Sequence, residues 1–291
     1  RGVNTRGCDM LSEAGVVGAL CSMPHVSALE LCQLPRVSEP SLQLLVARAR
    51  SVTSVDVSMC QRLGDECVSH AASGFENLQT LECYGLGRLQ CPTIAGPQLT
   101  TLILSGCRAL SRPTLLCPNL AVLELQSCKE LDPSALAQLA AASPKLRHLD
   151  LSGCSRLSSC ALGDAPALAV LILDGCSQLR GVDITAPTAL DKLSMRSCTG
   201  CTQEAVETLC AGSPALTTLD LRGCTQLSQP TFAAPSLVDL RAPWRARPRP
   251  GLTVPASAQR QPMAPVDAKD ESDAVGMAAA MTADLTEQSR A

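Results

Sequence analysis

One frame recurs along most of the chain: L-x-x-L-x-L-x-x-C-x-x-L. Its clearest copies are LRHLDLSGCSRL at residues 146–157 and LTTLDLRGCTQL at residues 216–227. Copies begin at Val26, Val52, Leu78, Leu99, Leu120, Leu146, Leu168, Leu190 and Leu216, and a half copy, LVDLRA, begins at Leu237. Successive starts lie 26 or 21 to 22 residues apart. Self-similarity at a fixed period of this length is the signature of a stacked array.

The spacing dictates the architecture. The L-x-L core alternates, so it reads as a short strand with one buried face. One repeat cannot bury its own leucines, but a stack can, with strands side by side in a parallel sheet. Two spacings imply two kinds of return. The longer repeats have room for helices over 13–20, 40–49, 65–73, 132–144 and 202–214, with Asp132 and Thr202 at N-cap positions and Pro133 in the first turn. The shorter returns place apolar or small residues two apart: Pro92/Ile94, Pro113/Leu115, Cys160/Leu162, Val182/Ile184 and Pro230/Phe232. Period two beside proline reads as extended chain. The expected fold is α/β: a leucine-rich-repeat solenoid, or horseshoe, with a parallel concave sheet and a mixed helical and extended convex side.

Composition agrees. Apolar residues make up 46% of the chain, but aromatics only 1%: Trp244, Tyr84, Phe75 and Phe232. Repeated aliphatic layers build a core of that kind. The formal net charge of -3 gives no global basic field, so neither nucleic acid nor an acidic membrane surface is expected as partner. No apolar run approaches the ~18 residues of a membrane span. Seventeen cysteines, an odd number, without a signal-peptide layout fit a reducing compartment, cytoplasm or nucleus.

Both ends depart from the frame. Val3, Thr5, Cys8 and Leu11 match the second half of a copy whose start would fall at about position 0. With no initiator Met, the sequence reads as part of something longer. The frame stops near Ala242. The expected organisation is a repeat domain over 1–244, about ten repeats with the first truncated, and a disordered tail over 245–291. Trp244 is placed to cover the last core layer. Arg245, Arg247 and Arg249 read as solvated tail rather than an anion site, and 274–285 as a weak helix.

With cysteine at the ninth position of the frame, residues 3–242 resemble the cysteine-containing leucine-rich repeats of F-box proteins. The mixed spacing, and segments such as VDITAPTALDKLSMRSC and LTTLDLRGCTQLS, look most like the plant and algal type. The resemblance implies the substrate-recognition part of an SCF-type ubiquitin ligase, with no catalysis of its own. It departs from the family in one respect: residues 1–25 already belong to the repeat, so Skp1-like and cullin subunits would be reached only through an F-box outside this chain. A stand-alone repeat scaffold is the alternative.

Candidate sites follow from the frame. The ninth-position residues Cys60, Cys107, Cys128, Cys154, Cys176, Cys198 and Cys224 fall one repeat apart. That makes a buried ladder rather than a tetrahedral metal cluster. Cys198-x-x-Cys201 lacks the second pair or histidines a zinc site needs. His148 and Asp150 share a strand face, but no motif supplies a nucleophile to join them. No cofactor or metal is expected. The concave face is the expected binding surface for a protein target. At the fifth position it carries Glu30, Asp56, Glu82, Glu124, Asp150 and Asp220, and at the seventh Tyr84, Asp174, Arg196 and Arg222. It reads as acidic toward the start and arginine-bearing toward the end, with Tyr84 as aromatic anchor. An ordinary solvated strand face with acidic bias is the competing reading. Asp150 and Asp220 are expected to be exposed.

Overall fold

The computed structural model describes residues 2–4, 15, 18, 25–163, 165–184, 189–227 and 234–242. Two compact units divide the chain, Arg1–Ala258 and Gln259–Ala291; the repeat array lies within the first, and the second falls outside the described residues. The expected helix over 13–20 lies outside them apart from Gly15 and Gly18. So do Thr5, Cys8, Leu11, Trp244, the arginines that follow it, and the expected boundary at 244/245.

Eleven three-residue strands form one parallel sheet. They are β1 (Gly2–Asn4), β2 (Ala28–Glu30), β3 (Ser54–Asp56), β4 (Thr80–Glu82), β6 (Thr101–Ile103), β8 (Val122–Glu124), β9 (His148–Asp150), β11 (Val170–Ile172), β13 (Lys192–Ser194), β14 (Thr218–Asp220) and β15 (Asp239–Arg241), adjacent in that order. Register holds one row throughout: Val3 pairs with Leu29, Leu29 with Val55, Val55 with Leu81, and so on to Leu219 with Leu240. Every repeat start read from the sequence is reproduced by that row, and Val3 extends it one repeat earlier.

The returns follow the two spacings. Longer repeats close through α1 (Glu39–Arg48), α2 (Asp65–Gly74), α3 (Pro133–Ala142) and α4 (Gln203–Gly212). Asp132 caps α3 by accepting from the Ser134 N–H, and Thr202 caps α4 by accepting from Ala205. Shorter repeats close through extended segments. Of these, β5 (Thr93–Ala95) pairs with β7 (Thr114–Leu116), and β10 (Cys160–Ala161) with β12 (Val182–Asp183), as two small parallel sheets. A short return has about one helical turn fewer residues, so its chain must cross the core extended. Packing continues along this side: α1 on α2, α2 on β5, β7 on α3, α3 on β10, and β12 on α4. Between this layer and the main sheet lies one core of Leu, Val and Cys, with Phe75 its one aromatic among the described residues.

The eighth frame position turns the chain out of the sheet with positive φ in every described repeat from Gln33 to Gly223. Glycine adopts this backbone freely, whereas other L-residues pay about 1–2 kcal/mol. Gly223, at φ 79°, is crowded by backbone as well, because a Cβ there would meet Ser197 Oγ at 2.9 Å and Ser197 Cα at 3.2 Å. Gly223→Ala should therefore destabilise by about 2 kcal/mol. The converse Ser197→Gly, which relieves the serine's φ of 56°, should be neutral to stabilising. Thermal melts of the two variants check this, and equal midpoints would remove the argument.

The exposed sheet face and its rim as candidate functional site

The cysteine ladder is structural in its chemistry. Each ninth-position thiol donates to the sixth-position carbonyl of the preceding repeat. Cys60 reaches Leu31 at 3.1 Å, Cys107 reaches Cys83 at 3.1 Å, Cys154 reaches Leu125 at 3.2 Å, and Cys176 reaches Leu151 at 3.2 Å. Cys128, Cys198 and Cys224 repeat the pattern on Leu104, Leu173 and Met195. In five of the seven the same carbonyl also accepts the ninth-position N–H of its own repeat, as Leu151 does from Cys154. A small, weakly polar, buried donor thus satisfies the second lone pair. Burial pushes these thiols up, Cys60 and Cys224 to about 11 and Cys176 to about 12. Cys201 is likewise raised to about 11 by burial. A thiolate is what metal binding and nucleophilic attack require, and these sites disfavour it.

His148 and Asp150 share the outward face of β9, but the Asp150 carboxylate is hydrogen-bonded to other partners. The Asp150 carboxylate accepts from Ser152 N–H at 2.8 Å, Ser152 Oγ at 2.6 Å and Gln126 Nε2 at 2.7 Å. His148 Nδ1 is buried without a hydrogen-bond partner, and desolvation lowers the imidazole's pKa against the pull of Asp150. His148 lies in register between Val122 and Val170 of the neighbouring strands and is half-buried.

The outward acids have a local task that explains their residue type. The seventh-position N–H lies at a strand end and needs an acceptor. Where the fifth residue is Asp, that side chain supplies it: Asp56 accepts from Ser58 at 2.8 Å, Asp150 from Ser152 at 2.8 Å, and Asp220 from Arg222 at 3.1 Å. In other repeats the preceding repeat's seventh residue serves. Ser58 Oγ accepts from Tyr84 N–H at 3.1 Å, Ser105 Oγ from Gln126 at 3.2 Å, and Asp174 from Arg196 at 2.8 Å.

This local role corrects two expectations. Asp150 and Asp220 are not exposed: they retain 5% and 7% accessibility, and Glu124 retains 7%. In-register strands lie about 4.8 Å apart, so each outward side chain is shielded by those on both flanks. Nor does the far end gain free positive charge. The Arg222 guanidinium folds back on Asp220, with Nη2 to Oδ2 at 2.7 Å and Nε to Oδ1 at 3.0 Å, and Arg241 pairs with Asp239 at 3.0 Å. Arg196 lies half-buried near Asp174, whose carboxyl is raised by burial although Ser194 and the Arg196 N–H bond to it. The polarised groove therefore reduces to an acidic half and a self-neutralised half.

In the acidic half, Glu30, Asp56 and Glu82 stand in adjacent strands, in register and half-buried. Burial and the neighbouring Asp56 and Glu30 raise the Glu82 carboxyl. Tyr84 is 51% exposed, as an anchor must be, with its ring lying over the Gly106 backbone of the next repeat. Two features escaped the sequence reading. Met59, 41% exposed, lies over Gly85 just as Tyr84 lies over Gly106. On the rim beyond the turn, Arg36, Arg62, Arg88, Arg108 and Lys129 are all exposed, one per repeat. Reading the tenth and eleventh columns of the frame, as the fifth and seventh were read, would have found this row.

A family model described as Leucine Rich repeat matches residues 142–155. Among solved structures, a chain from the crystal structure of the yeast Rad7 and Elc1 complex is similar at 14% identity. The match covers 82% of this chain and 80% of that one, with a TM-score of 0.38. The leucine-rich-repeat-containing protein LegL7 from Legionella pneumophila is similar at 15% identity, over 71% of this chain and 86% of that one, with a TM-score of 0.32. No curated protein matches.

Proposed function

We propose that this leucine-rich-repeat solenoid is a protein-binding platform that serves as the substrate-recognition part of an SCF-type ubiquitin ligase. One observation carries the binding half. The long parallel sheet buries one row of leucines inward and presents its outward rows, charged and polar with an exposed tyrosine, where no described element packs. A parallel sheet normally has both faces covered, so an open one is available to a partner. The ligase half rests on the resemblance of the cysteine-type frame and its mixed spacing to the repeats of F-box proteins. On this reading the chain supplies affinity and geometry, and other subunits supply ubiquitin transfer. Tagged complete gene product, purified from its own cells, should then bring down Skp1-like and cullin subunits. Recovery of neither would overturn the ligase half and leave a scaffold. No helix among the described residues is long and apolar enough to cross a membrane.

A further inference from the structure

Among the described residues opposite charges pair at four places, Arg112 with Asp132, Arg156 with Glu130, Arg222 with Asp220 and Arg241 with Asp239. Apart from those pairs, the repeats that begin at 26, 52, 78, 99 and 120 carry two rows of opposite sign. The fifth-position row carries Glu30, Asp56, Glu82 and Glu124. The rim row carries Arg36, Arg62, Arg88, Arg108 and Lys129, and among the described residues none of these five lies within ion-pair distance of a carboxylate. Between the rows, at the seventh and eighth positions, lie the exposed side chains of Met59 and Tyr84. They are adjacent, because the Met59 N–H donates to the Tyr84 carbonyl at 2.7 Å.

We propose that this strip is a docking site for an extended protein segment in which acidic and basic residues alternate around one or two apolar anchors. Such a segment, laid along the array, points alternate side chains to opposite sides. Its bases would face the acidic row and its acids the rim row, with the anchors seated on Met59 and Tyr84. The turn that carries Met59 separates the acidic strand ends from the basic rim, so each row keeps its own sign. A partner of one sign, such as a nucleic acid, is therefore drawn to one row and repelled by the other. It would also find in Tyr84 the only aromatic base-stacking surface of the strip. The proposal rests on the binding-platform reading and is independent of its ligase half.

The test is fluorescence anisotropy of the intact 291-residue chain with four labelled probes. These are a peptide of about 12 residues alternating Lys and Glu around two central Leu, long enough extended to cross the strip; the same residues with the Lys and Glu in separate blocks; an all-Lys version; and a single-stranded oligonucleotide. The alternating peptide should bind at least tenfold tighter than the others. Arg62→Glu with Arg88→Glu should reverse the preference, making the all-Lys peptide the tightest, while Arg62→Gln with Arg88→Gln gives a smaller loss. Tyr84→Ala should weaken the alternating peptide severalfold. Equal binding of the block or all-Lys peptide to the unchanged chain overturns the proposal. So does an oligonucleotide that binds best, or the failure of every probe to bind at millimolar concentration. Ligase subunits recovered without peptide binding would sink this proposal alone; peptide binding without them would sink only the ligase reading.

Discussion

Leu151→Asp should abolish the cooperative unfolding transition of the repeats around it. Leu151 occupies the sixth frame position after β9 and is fully buried, in the row that holds Leu125 before it and Leu173 after it. Its backbone is equally committed. The N–H donates to Ile172 at 2.8 Å, and the carbonyl takes both Cys154 N–H and Cys176 Sγ at 3.2 Å. A carboxyl there would stay neutral rather than charge, and holding it neutral at pH 7, about 3 units above the ordinary Asp value, costs about 4 kcal/mol. Losing the buried leucine adds about 2–3 kcal/mol. The sum is comparable to the whole stability of an ordinary domain. In a solenoid each repeat leans only on its neighbours, so the damage should centre on the repeats starting at 120, 146 and 168 and expose them to proteolysis. Leu151→Met, which conserves volume, should cost under about 1.5 kcal/mol. A thermal midpoint for Leu151→Asp within a few degrees of the unchanged chain would mean that this row does not face the core.

Position 151 also shows why the fold was legible and the site less so. The inward rows are selected for one property, burial, and a leucine repeated at fixed spacing announces it. Register, strand faces and both kinds of return follow from counting residues between leucines. The ninth-position cysteines were legible as a buried ladder, but not the reason for cysteine: a buried carbonyl with one lone pair left. The outward rows mix two demands. Asp56, Asp150 and Asp220 serve as acceptors for a strand-end amide and also set surface charge, and sequence cannot separate the two uses. Burial on that face was misjudged at Asp150 and Asp220 because an alternating pattern tells which way a side chain points, not how closely its flanking strands stand. Met59 is inconspicuous because its column, the eighth, is otherwise mostly Gly and Ser and so announces a turn rather than a surface.

The second large effect is a pH dependence that should belong to one carboxyl. Glu124 stands on β8 between Ile103 and Asp150 of the adjoining strands. Burial, followed by the charges of Asp150 and Glu82, pushes its pKa up to about 7 from an ordinary value of 4.5. The native state therefore holds this proton between those two values while the unfolded chain has already released it, so stability falls as pH rises through that window. The loss reaches roughly 3 kcal/mol once Glu124 is ionised in both states. Glu124→Gln keeps the shape and removes the charge, so its advantage over the unchanged chain should be near zero at about pH 4.5 and grow to roughly 3 kcal/mol by pH 8. Glu82, also raised, works in the same direction, while His148, whose pKa is lowered by burial, favours the fold at higher pH. Both are present in either protein, so their contributions largely cancel in the difference. Denaturant melts at several pH values give that difference directly, and a gap that does not change with pH would show that Glu124 stays solvated. Where the gap opens as expected, a cationic partner over the acidic row would draw the Glu124 proton off, and binding should release protons near neutral pH.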